Sequence, residues 1–593
     1  MAKPEIIAYE FGSFRLNVAE RRLLRDDKAV LLTPKLFDIL LLLVRERGAV
    51  VTKDTLMKEI WPGTFVEENN LTVSVSALRK ALGERPREPE YIETVAKRGY
   101  RFVARVRDIW DDSAAKAGAR FIRAGSKMVM DEHERGVRAL AVLPLVNVDN
   151  DPYLEYLSDG ITESIISSLS CLPQLRVMAR STVFHYKGRE PDARQIGREL
   201  NVSAVLAGRL RRLGEHLILG VELVNVGDGS QLWGEQYNRS LSDIFNVQEE
   251  IAREISETLR FKLTGEEREQ LAKRYTENTE AYQLYLKGRY FWNKRTVNSI
   301  NRGIKFFNEA ISLDPNYAQA YVGLADCYIS LAGNMLPTSE GIQAARRAIV
   351  RALESDEALA EARVSLAFIE TIAWNWPEAE KQFRRAIELS PSSALAHGRY
   401  SIYLAVSGRM VQAISEAQQA LNTDPLSAPM RVNAARIFYY ACQYERSMEQ
   451  CREALEIESH FGAAHTILGL IYGTMGMYKE AIAETQQAVS LMDDDPEVVG
   501  LLGYLYAASG RRREARKVLA KLQKLSEQKY VPPTSMVWIY IGLREKEKSF
   551  EWLEKAYEER SYMLIHLTAI PVFNYLRADP RFDDLLRRIG LPT

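Results

Sequence analysis

The 593-residue sequence predicts a multidomain α+β protein. Its parts are a small N-terminal domain of short strands and three helices, a central α/β domain and a C-terminal all-α solenoid. Three observations carry this prediction. A period of about 34 residues runs through the last third of the chain. Short β-like runs and capped helices fill the first hundred residues, and buried-type strands alternate with amphipathic helices between 137 and about 264. A chain of this length exceeds what one hydrophobic core supports, so several domains or a repeat array are required.

The repeat emerges on stepping from Ala367 by 34, which reaches Ser401, Ala435, Gly469, Gly503 and Val537. Twelve residues after each lie Ala379, Ala413, Ser447, Ala481, Ala515 and Ser549, all small. Seven further on come Ala386, Ala420, Ala454, Ala488, Leu522 and Ala556. Ser390-Pro391, Asp424-Pro425 and Asp495-Pro496 punctuate the units. Antiparallel helices approach closely only where small side chains face each other, and proline starts a helix more readily than it continues one. This pattern resembles the tetratricopeptide repeat. Two looser copies, with Gly288 and Ala325 at the small position, precede the regular six, giving about eight repeats over 265–593. The resemblance implies a right-handed solenoid that binds a protein or peptide partner. Tyr282, Tyr285, Tyr290, Phe291 and Trp292 cluster where the array begins and are expected mostly to seal its junction with the central domain.

At the other end, residues 6 to 32 read as short strands. Thr33 caps a helix whose first residue is Pro34 and whose end is marked by Gly48, and Thr52 caps a second. A third carries Leu71, Val75, Leu78 and Leu82 at helical spacing, and YIETV and YRFVARV flank Ala96-Lys97-Arg98-Gly99 as a hairpin. Strands, three helices and a terminal hairpin make a winged helix-turn-helix. LTPKLFDILLLL, VVTKDTLMKEIW, ENNLTVSVSALRKALG and IETVAKRGYRF occur in order, and residues 1–107 are identified by them as resembling the OmpR/PhoB-type DNA-binding domain. The resemblance implies a third helix in the major groove and a hairpin wing on the adjacent minor groove.

The residues support that chemistry on their own. Asn70, Thr72, Ser74, Ser76, Arg79 and Lys80 lie on the polar face of the third helix, and Thr94, Lys97, Arg98 and Arg101 on the wing. Arg79, Lys80, Lys97, Arg98 and Arg101 are expected to dock phosphates, with Thr94 hydrogen-bonding one. Asn70, Thr72, Ser74 and Ser76 are expected to approach base edges. Residues 1–107 hold 20 Lys/Arg against 15 Asp/Glu, a local charge of +5 inside a chain whose 79 cationic and 79 anionic side chains cancel. A uniformly basic nucleic-acid coat is excluded, and the local excess is what docking on DNA requires. Ala77 and Ala96 stand where many family members place arginines, which leaves the recognised sequence open.

Residues 108–136 read as a charged, Ala/Gly-rich linker without a strand pattern. CadC-like regulators place a transmembrane helix at this point; this sequence has none. The central segment, 137–264, starts with a strand in VRALAVLPLVNV and a helix in SDGITESIISSLSCL capped by Ser158 or Asp159. LRVMAR reads as a strand and PDARQIGREL as a helix. AVLAGRLRR, HLILGVELVNV and QLWGEQYNR follow as antiparallel strands turning at Leu213-Gly214-Glu215 and Gly227-Asp228-Gly229, and SDIFNVQEEIAREISETLRFKL closes with a helix. These strings resemble the TolB-like domain, which implies a fold and a signalling context but names no catalytic residue.

The chemistry of the remaining residues points away from catalysis. Hydrophobic residues make up 46% and charged residues 27%, an ordinary globular composition. The four cysteines form no C-x-x-C pair and the seven histidines are scattered, so neither a disulfide scaffold nor a metal site is expected. Gly118-ARFIRA-Gly125-Ser126-Lys127 lacks the order of a phosphate-binding loop, and His185 reads as a packed or surface residue. No cofactor is implied. The sequence predicts a cytoplasmic one-component transcription regulator, not an enzyme, that binds double-stranded DNA, with dimerisation on it expected. The competing reading is a repeat scaffold without DNA affinity.

Overall fold

The computed structural model describes residues 6–60 and 91–110 with short breaks and single positions between 71 and 84. It also describes 139–592 with breaks, the longest at 266–275. Two compact units divide at residue 134.

In the first unit, β1 (Ile6–Phe11), β2 (Phe14–Asn17), β3 (Arg22–Arg25) and β4 (Lys28–Val30) form an antiparallel meander. Helix α1 (Pro34–Arg45) begins at the expected proline, while Thr33 and Gly48 lie outside the described residues. β5 (Val50–Thr52) leads into α2 (Lys53–Ile60), whose expected cap is in place: Thr52 Oγ1 accepts from the Thr55 amide at 3.1 Å. β6 (Ile92–Val95) and β7 (Gly99–Phe102) make the hairpin, with β7 between β5 and β6. Leu71, Val75, Leu78 and Leu82 are all buried, as their helical spacing predicts. Phe11, Phe14, Tyr91 and Phe102 stack and meet edge-on above them. One boundary differs from the sequence reading. β8 (Arg107–Trp110) pairs antiparallel with β1, Ile109 opposite Ala8, so the sheet claims three residues of the expected linker. An edge strand needs no period-2 apolar pattern, and Asp108 conceals it.

The second unit spans Arg135–Thr593. Its sheet runs β11 (Arg176–Val177), β9 (Ala139–Val142), β12 (Ala204–Leu213), β13 (His216–Asn225), β14 (Gln231–Ser240), with β10 (Val146–Asn147) also on β12. Both expected hairpin turns are present. Helix α3 spans Pro152–Ser170, six residues earlier than the expected caps. Ser158 and Asp159 are buried inside it, Ser158 Oγ bonding back to the Glu155 carbonyl at 3.3 Å. Pro152 supplies the start instead, since its missing N–H matters least in a first turn. After β11 the chain forms a short helix, α4 (Arg180–Phe184), which takes the last residue of the expected strand and otherwise falls where no element was expected. Helix α5 (Ala193–Glu199) is capped by Asp192, and α6 (Ile244–Thr258) covers β14.

Eight helix pairs follow, from α7 (Thr279–Asn293) and α8 (Val297–Leu313) to α21 (Pro533–Leu543) and α22 (Lys546–Glu558). The small positions sit at the closest contacts: Ala367, Ala379, Ala435, Ala454, Ala481, Ala515 and Ala556 are all fully buried. A second 34-residue series appears in the backbone. Trp374, Gly408, Cys442, Gly476, Gly510 and Arg544 all carry positive φ, between 57° and 84°, where the first helix of a pair ends. Glycine takes this left-handed closing conformation at least cost. Cys442, exposed and at φ 57°, is therefore strained, and Cys442→Gly is expected to raise stability by about 0.5–1 kcal/mol, read as a higher thermal midpoint.

The repeat array stops at Glu558 rather than at the last residue. Two 3₁₀ turns (Tyr562–His566 and Pro571–Tyr575) lie along first helices of earlier pairs, and a final helix (Pro580–Ile589) pairs its Arg581 and Arg588 with Glu547 and Glu554 of α22. Arg560 donates to the Ala373 carbonyl at 2.9 Å, Trp376 Nε1 to that of Ile589 at 2.8 Å, and Tyr440 Oη lies 3.0 Å from His566 Nδ1. Leu564, Ile565, Leu567, Phe573, Leu576 and Phe582 are buried there. Pro571 and Pro580 break the helical spacing that a further repeat would need.

Central domain and repeats share a core. Ala281, Tyr282, Leu286 and Tyr317 pack with Leu157, Ile161 and Ile165, with Tyr285 and Tyr290 against them; of the expected aromatic cluster, Trp292 lies instead in the repeats' own core and Phe291 stacks on Phe306. Glu163 on α3 lies 3.1 Å from Arg180 Nε and accepts from Arg289 Nε at 3.0 Å; Arg289 in turn faces Asp326 at 3.7 Å. A second tie sits further along the array. Asp424 accepts from Thr182 Oγ1 at 2.8 Å and from Ser181, while the Ala179 amide donates to the Thr423 carbonyl at 2.9 Å.

Candidate nucleic-acid interface

The described residues of the third helical stretch, Leu71, Val75, Ser76, Leu78, Arg79 and Leu82, are helical. Their apolar members face the core, which turns Ser76 outward, and Ser76 is exposed. Asn70, Thr72, Ser74, Lys80 and Lys97, together with Ala77 and Ala96, lie outside the described residues.

The wing is built against this helix and against β5. Gly99 permits the second contact: a Cβ there would lie 2.0 Å from the Val51 carbonyl oxygen, a backbone atom that cannot swing away. The Lys53 amide donates to the Arg98 carbonyl at 3.2 Å, tying the hairpin tip to the first turn of α2. Arg98 and Thr94 are exposed. Arg101 opposes Glu93 across the hairpin, with 3.6 Å between guanidinium and carboxylate, so part of its charge is already compensated.

Arg79 departs from the expected phosphate contact. Its Nη2 donates to the Ile92 carbonyl and to Thr94 Oγ1, each at 2.8 Å, and its Nε lies 3.5 Å from the Glu84 carboxylate. The Glu84 carboxylate is buried and accepts the amides of Ile92, at 2.7 Å, and Tyr91. Helix and wing are thus joined through a charged clamp. The physical reason is local: the first wing strand offers an acceptor at Ile92 that a forked cation satisfies better than water does. Glu84 is the partner that sequence reasoning missed, because its contacts lie seven and eight residues away across a turn, where no helical or strand period reaches. Thr94 gains from the same contact. Its oxygen accepts from Arg79, which leaves its own hydroxyl proton to donate outward.

Residues 27–102 match the family "Transcriptional regulatory protein, C terminal". The N-terminal domain is an OmpR/PhoB-type DNA-binding domain. Residues 474–528 of the same chain match a tetratricopeptide-repeat family, so this regulator domain and a repeat array occur together.

The regulator HilA of Salmonella typhimurium is 24% identical over 434 residues, 73% of each chain, and the activator CadC of Escherichia coli is 32% identical over 100 residues, 17% of this chain and 19% of its own. The solved DNA-binding domain of CadC covers 18% of this chain and 97% of that one, at 30% identity and a TM-score of 0.16. A putative adenylate cyclase of Rhizobium meliloti is 38% identical over 187 residues; the chain spans 32% of its length. Among the described residues, no helix is long and apolar enough to cross a membrane.

Proposed function

We propose that the chain is a cytoplasmic one-component transcription regulator, without catalytic activity, that docks promoter DNA as a pair of copies. In this reading the third helix enters the major groove with Ser76, joined by Asn70, Thr72 and Ser74, toward base edges. Arg98, Lys97 and Lys80 meet phosphates, Thr94 donates to one, and Arg101 adds a weaker contact. The clamp between Arg79, Glu84, Ile92 and Thr94 is the observation that carries the reading, because it holds helix and wing as one surface before DNA arrives. A preformed surface loses less conformational entropy on binding.

The central domain, TolB-like in its strings, and the repeats receive the signal or partner. The folded-back C-terminal segment lies along first helices of the array, so a protein partner meets other faces of it. A 330 Å³ cleft lined by Gln418, Asn422, Arg431, Gln450 and Glu453 offers hydrogen-bonding groups for a polar segment.

Fluorescence anisotropy of the full chain on fragments of its own upstream DNA, with competitor and a salt series, tests the reading. Arg98→Ala is expected to weaken binding and to lower the salt slope by about one, since one phosphate contact releases about one counterion. Arg79→Ala is expected to lower the thermal midpoint of the N-terminal unit as well as its affinity. Weak, competitor-sensitive binding to a genome-wide fragment pool would sink the reading and leave the scaffold.

A further inference from the structure

We infer that the outer edge of β14 pairs with the same strand of a second copy, extending the central sheet through a two-fold axis at Tyr237. This deepens the paired docking proposed above by naming its interface, and it rests on observations in the second unit alone.

The sheet has two edges. β11 at one end is two residues long, and the repeats cap it: the Val177 amide reaches Ser392 Oγ at 3.5 Å and the Ala179 amide the Thr423 carbonyl at 2.9 Å. β14 at the other end is ten residues long, and among the described residues no strand pairs with its outer side. An edge of that length carries a row of backbone donors and acceptors, which natural proteins shorten, charge, twist or cover unless it is used. The ladder with β13 shifts register between Leu223 and Val224, opposite the start of β14, and the run from Gly234 to Ser240 is regular.

The side chains select the occupant. Trp233, Glu235, Tyr237 and Arg239 share one face of β14, because each lies opposite Leu223, Val221, Leu219 or Leu217 of β13. Tyr237 is buried and donates to Glu254 on α6 at 3.0 Å, while Arg239 lies 3.3 Å from Glu250 and keeps 40% of its side chain exposed. Glu235 is exposed and forms no ion pair among the described residues. Antiparallel pairing about Tyr237 sets Glu235 opposite the partner subunit's Arg239 and Arg239 opposite the partner subunit's Glu235. On the other face it sets Gln236 opposite the partner subunit's Asn238. The strand is thus its own complement: opposite charges meet twice, amides meet twice, and no like charges face each other. Self-complementarity of one patch is what a two-fold homodimer requires.

Sedimentation velocity of the full chain without DNA, across a salt series, tests the assignment. The unaltered chain is expected to dimerise. Glu235→Arg, which removes no side-chain hydrogen bond or ion pair among the described residues, is expected to raise the dimer dissociation constant at least about tenfold by placing like charges opposite each other. The double exchange Glu235→Arg with Arg239→Glu is expected to restore it, and circular dichroism checks that each variant is folded. A monomeric unaltered chain, an undisturbed Glu235→Arg dimer, or failure of the folded double exchange to recover pairing would each overturn the proposal. Anisotropy on a single DNA half-site separates the two readings. Glu235→Arg leaves that binding intact if the DNA reading holds, and a dimer that binds no DNA would retain this interface while removing that function.

Discussion

Glu163→Ala is expected to be the most damaging single substitution at the joint between the central domain and the repeats, lowering stability by about 3–5 kcal/mol. Three elements meet at this carboxylate: α3 carries it, Arg180 approaches it after β11, and Arg289 comes from the first repeat. Side-chain exposure is only 20%, 25% and 19% for the three. Burial opposes the charge on Glu163, but the Arg289 and Arg180 guanidiniums outweigh it and hold its carboxyl below the usual range. Removing it leaves two guanidiniums together with little water and only the Asp326 carboxylate, 3.7 Å from Arg289, to balance them, and such undercompensated charge costs more than the pair itself contributes. Thermal unfolding followed by limited proteolysis reads the effect: the variant should open at the joint at a lower temperature. The pH dependence has a definite sign. A depressed folded pKa supplies stability above the ordinary value of 4.5 and loses it only as pH falls through the lower folded value. The gap between unaltered chain and Glu163→Gln should therefore persist at neutral pH and close in acid. A variant matching the unaltered chain at pH 7 would show the joint is held by apolar packing alone.

Glu497→Gln should act in the opposite direction. Glu497 lies in the first turn of the helix Pro496–Ala508 and is enclosed by α21, where Trp538 Nε1 donates to it at 3.1 Å and Thr534 Oγ1 also donates. No cation faces it. Burial, with the nearby Asp495 adding to it, pushes its carboxyl up to about 7 from 4.5, against the donation from Thr534 and Trp538. A raised folded pKa means stability is complete below about 4.5, falls as pH rises toward about 7 and levels off above. That rise in pKa corresponds to about 3 kcal/mol at the plateau. Glutamine stays neutral: its amide oxygen can accept from Trp538 Nε1 while its NH2 donates to Thr534 Oγ1, reversing that one bond. The variant should match the unaltered chain near pH 4.5 and exceed its thermal midpoint increasingly up to pH 7. Parallel midpoints across that range would show that the carboxylate remains solvated.

Most of the fold was legible. The 34-residue spacing of small residues located the helix pairs because a close helix crossing excludes any larger side chain. Pro34, Thr52 and the apolar positions from Leu71 to Leu82 located the N-terminal elements because capping and amphipathic spacing are local. What stayed hidden depended on distant partners. Ser158 and Asp159 have the chemistry of caps, yet a helix that starts at Pro152 buries them. The closing segment from Tyr562 onward forms no further helix pair, since part of it meets the last pair and part meets helices more than a hundred residues earlier, as Tyr440 meets His566.

The candidate interface divides in the same way. Polar types on one helix face and cations on a wing could be read from order and spacing. The role of Arg79 could not, because its carbonyl, hydroxyl and carboxylate partners come together only when the hairpin folds onto the helix. The kinds of domain, the repeat period and the local excess of cations in residues 1–107 follow from composition, local propensity and periodicity. Tertiary structure alone decided that central domain and repeats form one unit, that the array is filled by its own C-terminus, and that β14 is left open. Those outcomes depend on which buried charges and edges find a partner across the chain, and pairing over such separations leaves no periodic trace.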